Sequence, residues 1–231
     1  MLTIDRTTAR RFILGKQGLW PGRRWRGAAG TEQAMRAMEY LQLDPLNVMA
    51  RNQDIALYGR VLEYAPGHWE RPTYDGRQFF DWGGWLAVRP MHELPHWRVV
   101  MRREREENER LRSMAAEHAA AIQEMRALLS RQPTVANRDF AMAGRTRTND
   151  FRGRKDSSVA LYYLWRTGEV MTHHRVNFER VYALTELAAC RVPSAWAPLD
   201  TTTTEEAVFL APLDPVSARG RAKVVFGFDY V

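Results

Sequence analysis

The residues best placed to do chemistry sit in the run Leu41-Gln42-Leu43-Asp44-Pro45-Leu46-Asn47-Val48, where an amide and a carboxylate stand two apart. In an extended chain, side chains two apart project from the same face, whereas on a helix they diverge by more than half a turn. Pro45 favours the extended form because its ring pushes the preceding Asp44 out of the helical region. Leu41, Leu43 and Val48 are then expected to anchor the opposite face. A carboxylate and an amide held side by side can hold a water molecule or stabilise a developing positive charge. Gln42 and Asp44 are therefore the candidate catalytic residues.

The elements around this segment follow from periodicity and punctuation. A helix is expected from Asp5 to Gln17, with apolar Ala9, Phe12 and Ile13 opposite a basic face of Arg6, Arg10 and Arg11. Thr31 is expected to cap a second helix reaching Tyr40, and Asn52 to Tyr58 reads as another short one. The aromatic stretch from Phe79 to Pro90 reads as a core wall in preference to a platform for stacked bases. From Leu94 to Leu129 the pattern is a long charged helical stretch, with Glu and Arg at pairing distances. Beyond Pro133, a short helix capped by Thr134 and ending near Phe140, a loop with Arg145, Arg147, Arg152, Arg154 and Lys155, a helix over Val159 to Arg166, and two β-like runs around Asn177 spell a winged helix-turn-helix.

The expected class is mainly α with small β-hairpins, an α+β chain. Its divisions are residues 1–93 for an N-terminal winged-helix-like lobe, 94–132 for a charged helical connection, 133–190 for a second winged helix and 191–231 for a C-terminal segment.

Composition narrows the partners. Of 231 residues, 34 are Lys or Arg against 27 Asp or Glu, a formal net charge of +7, and nearly all of the positive charge is arginine. The planar guanidinium suits phosphate and base edges, so nucleic acid is the leading partner. Cys190 is the single cysteine, which rules out an internal disulfide and favours a reducing cytoplasm. No secretory leader and no apolar run of membrane-spanning length is present.

Other chemistries lack their apparatus. There is no Walker-type phosphate loop and no dinucleotide fingerprint. His92 and His96 stand four apart without the HExxH pattern, and Pro95 lies between them. His173 and His174, adjacent on a strand, are expected to face opposite ways and to make polar wing contacts, not to hold a metal. No cofactor is expected.

Four segments together resemble one family: ARRFILGKQGL, LQLDPLNVMAR, Ala87-Val88-Arg89-Pro90 and LYYLWRTGEVMTHHRVNFERVYALTE. They are similar to the winged-helix crosslink-repair DNA glycosylases of the YcaQ/AlkZ type. The resemblance implies a tandem winged helix-turn-helix architecture and a monofunctional hydrolase that releases alkylated purines, including crosslinked ones, from double-stranded DNA. It also implies a nucleoid-associated monomer. Family members carry Gln, an aliphatic residue, then Gln or Asp, and Gln42-Leu43-Asp44 looks like the Asp form. By that resemblance Asp44 supplies negative charge or acts as base, and Gln42 orients water.

DNA contacts are expected from Arg10, Arg11, Asn47, Arg51, the loop cations Arg145, Arg147, Arg152, Arg154 and Lys155, and His173, His174 and Arg175. Two departures are visible. Many relatives have a histidine where this chain has Gly83-Gly84-Trp85, and AVFLAPLDPVSARGRAKVVFGFDYV resembles a later family region that here follows the second winged helix almost at once, implying a shortened C-terminal side. The competing reading is a non-catalytic winged-helix DNA-binding protein or transcriptional regulator, in which Gln42-Leu43-Asp44 only ends a helix and begins a turn.

Overall fold

In the computed structural model, residues 5–83, 86–139 and 156–188 are described. The chain starts with α1 (Arg6–Lys16), capped by Asp5, whose carboxylate accepts the Thr8 N–H at 2.9 Å. This helix buries no residue, and Arg10 and Arg11 are exposed on it. Strand β1 (Trp25–Arg26) leads directly into α2 (Gly27–Met38), which starts five residues earlier than a Thr31 cap would allow. Ala28 and Ala29 favour helix, so the helix runs back to the extended Arg26. Thr31 lies buried inside it, its hydroxyl donating to the Gly27 carbonyl at 2.9 Å.

After α2 come β2 (Leu41–Gln42), α3 (Asn52–Tyr58), β3 (Val61–Leu62), a π-helical turn over Arg71–Asp75, β4 (Phe79–Asp81) and β5 (Ala87–Pro90). Strands β2, β5 and β4 form an antiparallel sheet in that order, with Leu41 opposite Val88 and Gln42 opposite Ala87. Buried Met35, Leu41, Leu43, Leu57, Trp69 and Phe79 make the first core. The aromatic stretch does form a core wall, since Phe79, Phe80 and Trp82 are all buried. Gly84 and Trp85 lie outside the described residues.

The charged stretch from Leu94 to Leu129 is three helices: α4 (Leu94–Glu107), α5 (Glu109–Glu117) and α6 (Ala119–Leu129). Asn108 breaks the first from the second by taking an extended conformation, and its side chain caps α5 by accepting the Leu111 N–H at 3.2 Å. Residues 94–132 therefore do not stand apart as a connection. Met101, Leu111, Ile122, Met125 and Leu129 bury their side chains in a second core with Leu161, Leu164 and Met171, while the charged residues face outward or pair across helices. Arg166 meets Glu104 at 2.6 Å, and Arg126 grips Glu169 through two hydrogen bonds of 2.8 and 2.7 Å.

The rest of the second core comes from β6 (Val135–Ala136), α7 (Asp156–Arg166), β7 (Val170–Val176), β8 (Glu179–Leu184) and α8 (Thr185–Ala188). Where a Thr134-capped helix was expected, Val135 and Ala136 extend and pair with Tyr182 and Val181, giving a sheet of order β6-β8-β7. Gly168 ends the α7 region at φ +75°, and a Cβ there would sit 2.4 Å from the Met101 sulfur, so glycine also permits the close approach of α4. The mixture of helices with small antiparallel sheets is the α+β class read from the sequence.

The two cores meet along β4 and the β7–β8 hairpin. Trp82 donates from its indole nitrogen to the Trp165 carbonyl at 2.6 Å, and Arg77 donates to the His173 carbonyl at 2.7 Å. Between them, Arg175 Nε donates to Asp81 Oδ2 at 2.8 Å, with side-chain exposures of 4% and 0%. Tyr74 donates to the same carboxylate at 3.1 Å. The hairpin turns through Asn177 and Phe178, both at positive φ (49° and 70°), as a tight primed turn requires. Phe178 packs on the first core, with the guanidinium carbons of Arg51 and Arg175 at 4.5 and 4.7 Å from its ring centroid.

This corrects the expectation for Arg175. It is no DNA contact but the cation of a buried ion pair, because the hairpin folds its tip onto the first core. Burial pulls the arginine pKa down, and Asp81 more than reverses that, leaving it raised.

Removing one member of a buried pair strands the other, at a cost of about 3–5 kcal/mol. Asp81→Asn should lower unfolding stability by that order in urea titrations, and Asp81→Leu combined with Arg175→Met should recover much of the loss.

Candidate active site

The candidate site is built where β2 leaves the sheet. Glu39, at φ 58°, ends α2 and turns the chain into β2. Pairing continues past the strand, since the Leu43 N–H donates to the Leu86 carbonyl at 2.6 Å. Extended geometry thus persists through Leu43, and burial alternates as a half-buried strand should. Leu41 and Leu43 are each 1% exposed, while Gln42 and Asp44 are half-buried on the opposite face.

The chain then turns outward. Asp44 Oδ1 accepts the Leu46 N–H at 2.9 Å, a local turn of the kind aspartate makes with the backbone two residues on. This turn and Pro45 lift residues 46–49 away from the core. Val48 is accordingly 93% exposed and anchors nothing, contrary to the expectation that it joins Leu41 and Leu43. Asn47 is exposed on the same loop.

Two side chains that the sequence reading passed over as part of a short helix fix the backbone here. Asn52 Nδ2 donates to the Gln42 carbonyl at 3.0 Å, and Gln53 Oε1 accepts the Asp44 N–H at 3.1 Å. The first turn of α3 therefore holds the backbone at both candidate catalytic positions. The available signal was a pair of amides opening a helix eight residues beyond Asp44. Gln53 is buried, and its Nε2 has no partner among the described residues. The side-chain amide of Gln42 and the Oδ2 of Asp44 likewise carry no hydrogen bond among the described residues, so the backbone is tied while these functional groups remain uncommitted.

Behind α3 lies a second charged layer. Asp54 accepts from the Tyr64 hydroxyl at 2.6 Å and from the Gly67 N–H at 3.2 Å. Glu70 has its pKa raised, first by burial and then by Asp54, against the opposing charges of Arg51 and Arg175. Arg51 is half-buried, stacked on Phe178, with its Nε buried and without a hydrogen-bond partner among the described residues. A cleft of about 480 Å³ lined by Glu32, His68, Arg71 and Asp75 includes neither Gln42 nor Asp44.

The expected DNA contacts separate into groups. Arg10 and Arg11 are exposed, and Arg11 stacks over Trp20 at 5.1 Å. Arg145, Arg147, Arg152, Arg154 and Lys155 lie outside the described residues. No residue of α7, the helix that follows this loop, is exposed. Two cations passed over in the sequence are stacked on aromatic rings: Arg23 over Tyr58 at 5.1 Å and Arg24 over Trp25 at 4.4 Å.

His173 and His174 do not face opposite ways. A β-bulge between Thr172 and His174 inserts an extra residue and brings the rings together, with centroids 5.1 Å apart and Nδ1 atoms 2.9 Å apart. Burial, then Arg77, then His174 push the His173 pKa down to about 4, and His174 is lowered by burial, Arg77 and Arg138. Both shifts favour the uncharged imidazole, which attracts a phosphate less than the protonated ring would. Among the described residues no group of three or more His, Cys, Asp or Glu side chains could hold a metal ion, and no helix is long and apolar enough to cross a membrane.

The lowered His173 pKa sets a pH dependence. Above the ordinary value of 6.5 neither folded nor unfolded chain binds the proton, so this group costs nothing; as pH falls toward about 4 the unfolded chain takes it up first and stability is lost. His173→Gln should therefore show a smaller drop in urea midpoint than the parent protein across that window.

A model of the family described as DNA glycosylase AlkZ-like matches residues 35–208, most of the chain. No curated protein and no solved structure matches significantly. The matched span starts within α2 and takes in the Gln42/Asp44 segment, both cores and the β7–β8 hairpin. On that coverage, the chain belongs to the AlkZ-like DNA glycosylase family.

Proposed function

We propose that this chain is a monofunctional DNA glycosylase that hydrolyses the bond between deoxyribose and an N7-alkylated purine in double-stranded DNA. The observation that carries the reading is the pair Gln42 and Asp44, presented on one half-buried face with its backbone held by Asn52 and Gln53. An N7-alkylpurine is already cationic, so C1′–N9 cleavage leaves a neutral base and needs little acid assistance. What the reaction needs is stabilisation of positive charge on the sugar and a positioned water. Asp44 supplies the negative charge and accepts the water proton, while the Gln42 amide orients the water toward C1′.

Two features support the finer parts of this reading. The site opens on an exposed turn instead of a closed cavity, which suits a bulky or crosslinked base that a narrow pocket would reject. The order α6, β6, α7, β7 and β8, with β6 pairing on β8, supports a winged-helix ancestry for the second half. Exposed arginines on α1 and in the segment before α2 support DNA docking on the first half.

The test is base release from duplex DNA containing N7-methylguanine, read as free base and as alkali-labile abasic sites. Asp44→Asn should reduce release about 100-fold or more while changing DNA affinity little. A folded sample that binds DNA with the expected salt dependence yet releases no base would refute the proposal and leave a non-catalytic DNA-binding role.

A further inference from the structure

The loop that follows Asp44 presents three apolar side chains to solvent: Leu46 is 70% exposed, Val48 93% and Met49 94%. A lone exposed leucine needs no explanation, but three apolar residues within four positions, standing clear of the protein, mark a contact surface. The loop is not loosely attached. Its entry is fixed by the Asp44–Leu46 turn and the Gln53 contact, and its exit by α3, whose first residue holds the Gln42 carbonyl. An apolar tip on a fixed base is a wedge.

The helix that follows the loop in the chain adds exposed apolar and aromatic side chains with a cation stacked on them. Ile55 and Tyr58, three apart on α3 and hence on one face, are 56% and 60% exposed. Arg23 lies over the Tyr58 ring, and exposed Arg24 follows it in the chain. The loop and the helix that follows it in the chain thus present aliphatic side chains, an aromatic ring and, stacked on that ring, a cation. Duplex DNA offers the matching sequence, an apolar base stack bordered by phosphates. Three side chains are too few to supply the about 800 Å² per partner of a stable protein dimer, which argues against a second copy of this chain.

We propose that Leu46, Val48 and Met49 enter the base stack next to the damaged nucleotide and part it, while Arg23 and Arg24 engage the adjoining phosphates. The location beside a lesion rests on the glycosylase reading; entry of the loop into DNA does not. Separating the stack would expose the sugar to Gln42 and Asp44, two to seven residues away along the chain, without requiring the base to be drawn into a pocket.

The experiment compares the full chain, Asp44→Asn and the triple variant Leu46→Ser/Val48→Ser/Met49→Ser on duplexes carrying 2-aminopurine beside N7-methylguanine. The parent protein and Asp44→Asn should raise 2-aminopurine fluorescence several-fold at saturation, and the triple variant should lose most of that rise. Its single-turnover release rate should fall about 10-fold on matched duplex and recover on a substrate unstacked in advance by a neighbouring mismatch. An unchanged thermal midpoint would show that the exposed substitutions leave the fold intact. The wedge is overturned if the bound parent protein gives no rise, if the triple variant keeps it, or if the substitutions instead dissolve a dimer of the parent chain. A rise without base release would defeat the glycosylase reading and leave the wedge standing; release without a rise would do the reverse.

Discussion

The arrangement depends on a carboxylate and a guanidinium buried where neither can be hydrated. Asp81 lies on β4 of the first sheet and Arg175 on β7 of the second, 94 positions apart in sequence. Two charges out of water are tolerable only when attraction and hydrogen bonding replace the lost hydration. That demand fixes the distance between the sheets and the tilt of the hairpin. Arg175 also donates to the Phe178 carbonyl at 2.9 Å and lies over its ring, so the ion pair sets the hairpin tip. Phe178 in turn carries Arg51, which immediately precedes α3, and the first two residues of α3 hold the backbone of Gln42 and Asp44. The geometry of the candidate site is thus continuous with an ion pair that belongs to neither catalytic residue.

Burial keeps several tyrosine and histidine side chains of the neighbourhood in their neutral forms. Burial raises the Tyr74 pKa well above its ordinary value, and Asp81 adds to the shift. Burial and Asp54 likewise hold Tyr64 protonated, allowing its hydroxyl to donate. The protonated Tyr74 therefore donates to the Asp81 carboxylate alongside Arg175. Near the N-terminus, Arg11 and Arg23 are stacked on exposed aromatics, where an arginine keeps its hydration on one side and loses conformational freedom on the other.

What the sequence made legible was local. The alternation Leu41, Gln42, Leu43, Asp44 correctly assigns faces because a short strand has period two and Pro45 forbids helix at its end. Val48 was misplaced because the same rule was carried past a turn that Asp44 itself creates. The histidine pair failed for a related reason: adjacent strand residues oppose each other only if no residue is inserted, and the bulge inserts one. Arg175 was indistinguishable from a surface arginine, since its partner is remote in sequence and one charge says nothing about burial. The helical character of residues 94–129 was readable, but its division required knowing that Asn108 would cap a new helix instead of continuing the old one. Asn52 and Gln53 were overlooked because an amide that serves a neighbouring backbone has no distinguishing spacing of its own.

The bulged hairpin has a consequence for how the chain specifies its own register. Thr172 pairs with Tyr182 and Arg175 with Arg180, and the extra residue is taken up in the strand, leaving a two-residue turn. Were that residue shifted into the turn instead, the strand would run without interruption and Arg175 would pair with Glu179, directing its side chain to the other side of the sheet. Both alignments preserve most of the backbone ladder, so little within the hairpin separates them. The selection is made from outside, by Asp81 and by the apolar seat that receives Phe178. An excised second half would carry the same residues in an ambiguous alignment, and the two halves of this protein are therefore joined by information as well as by contact.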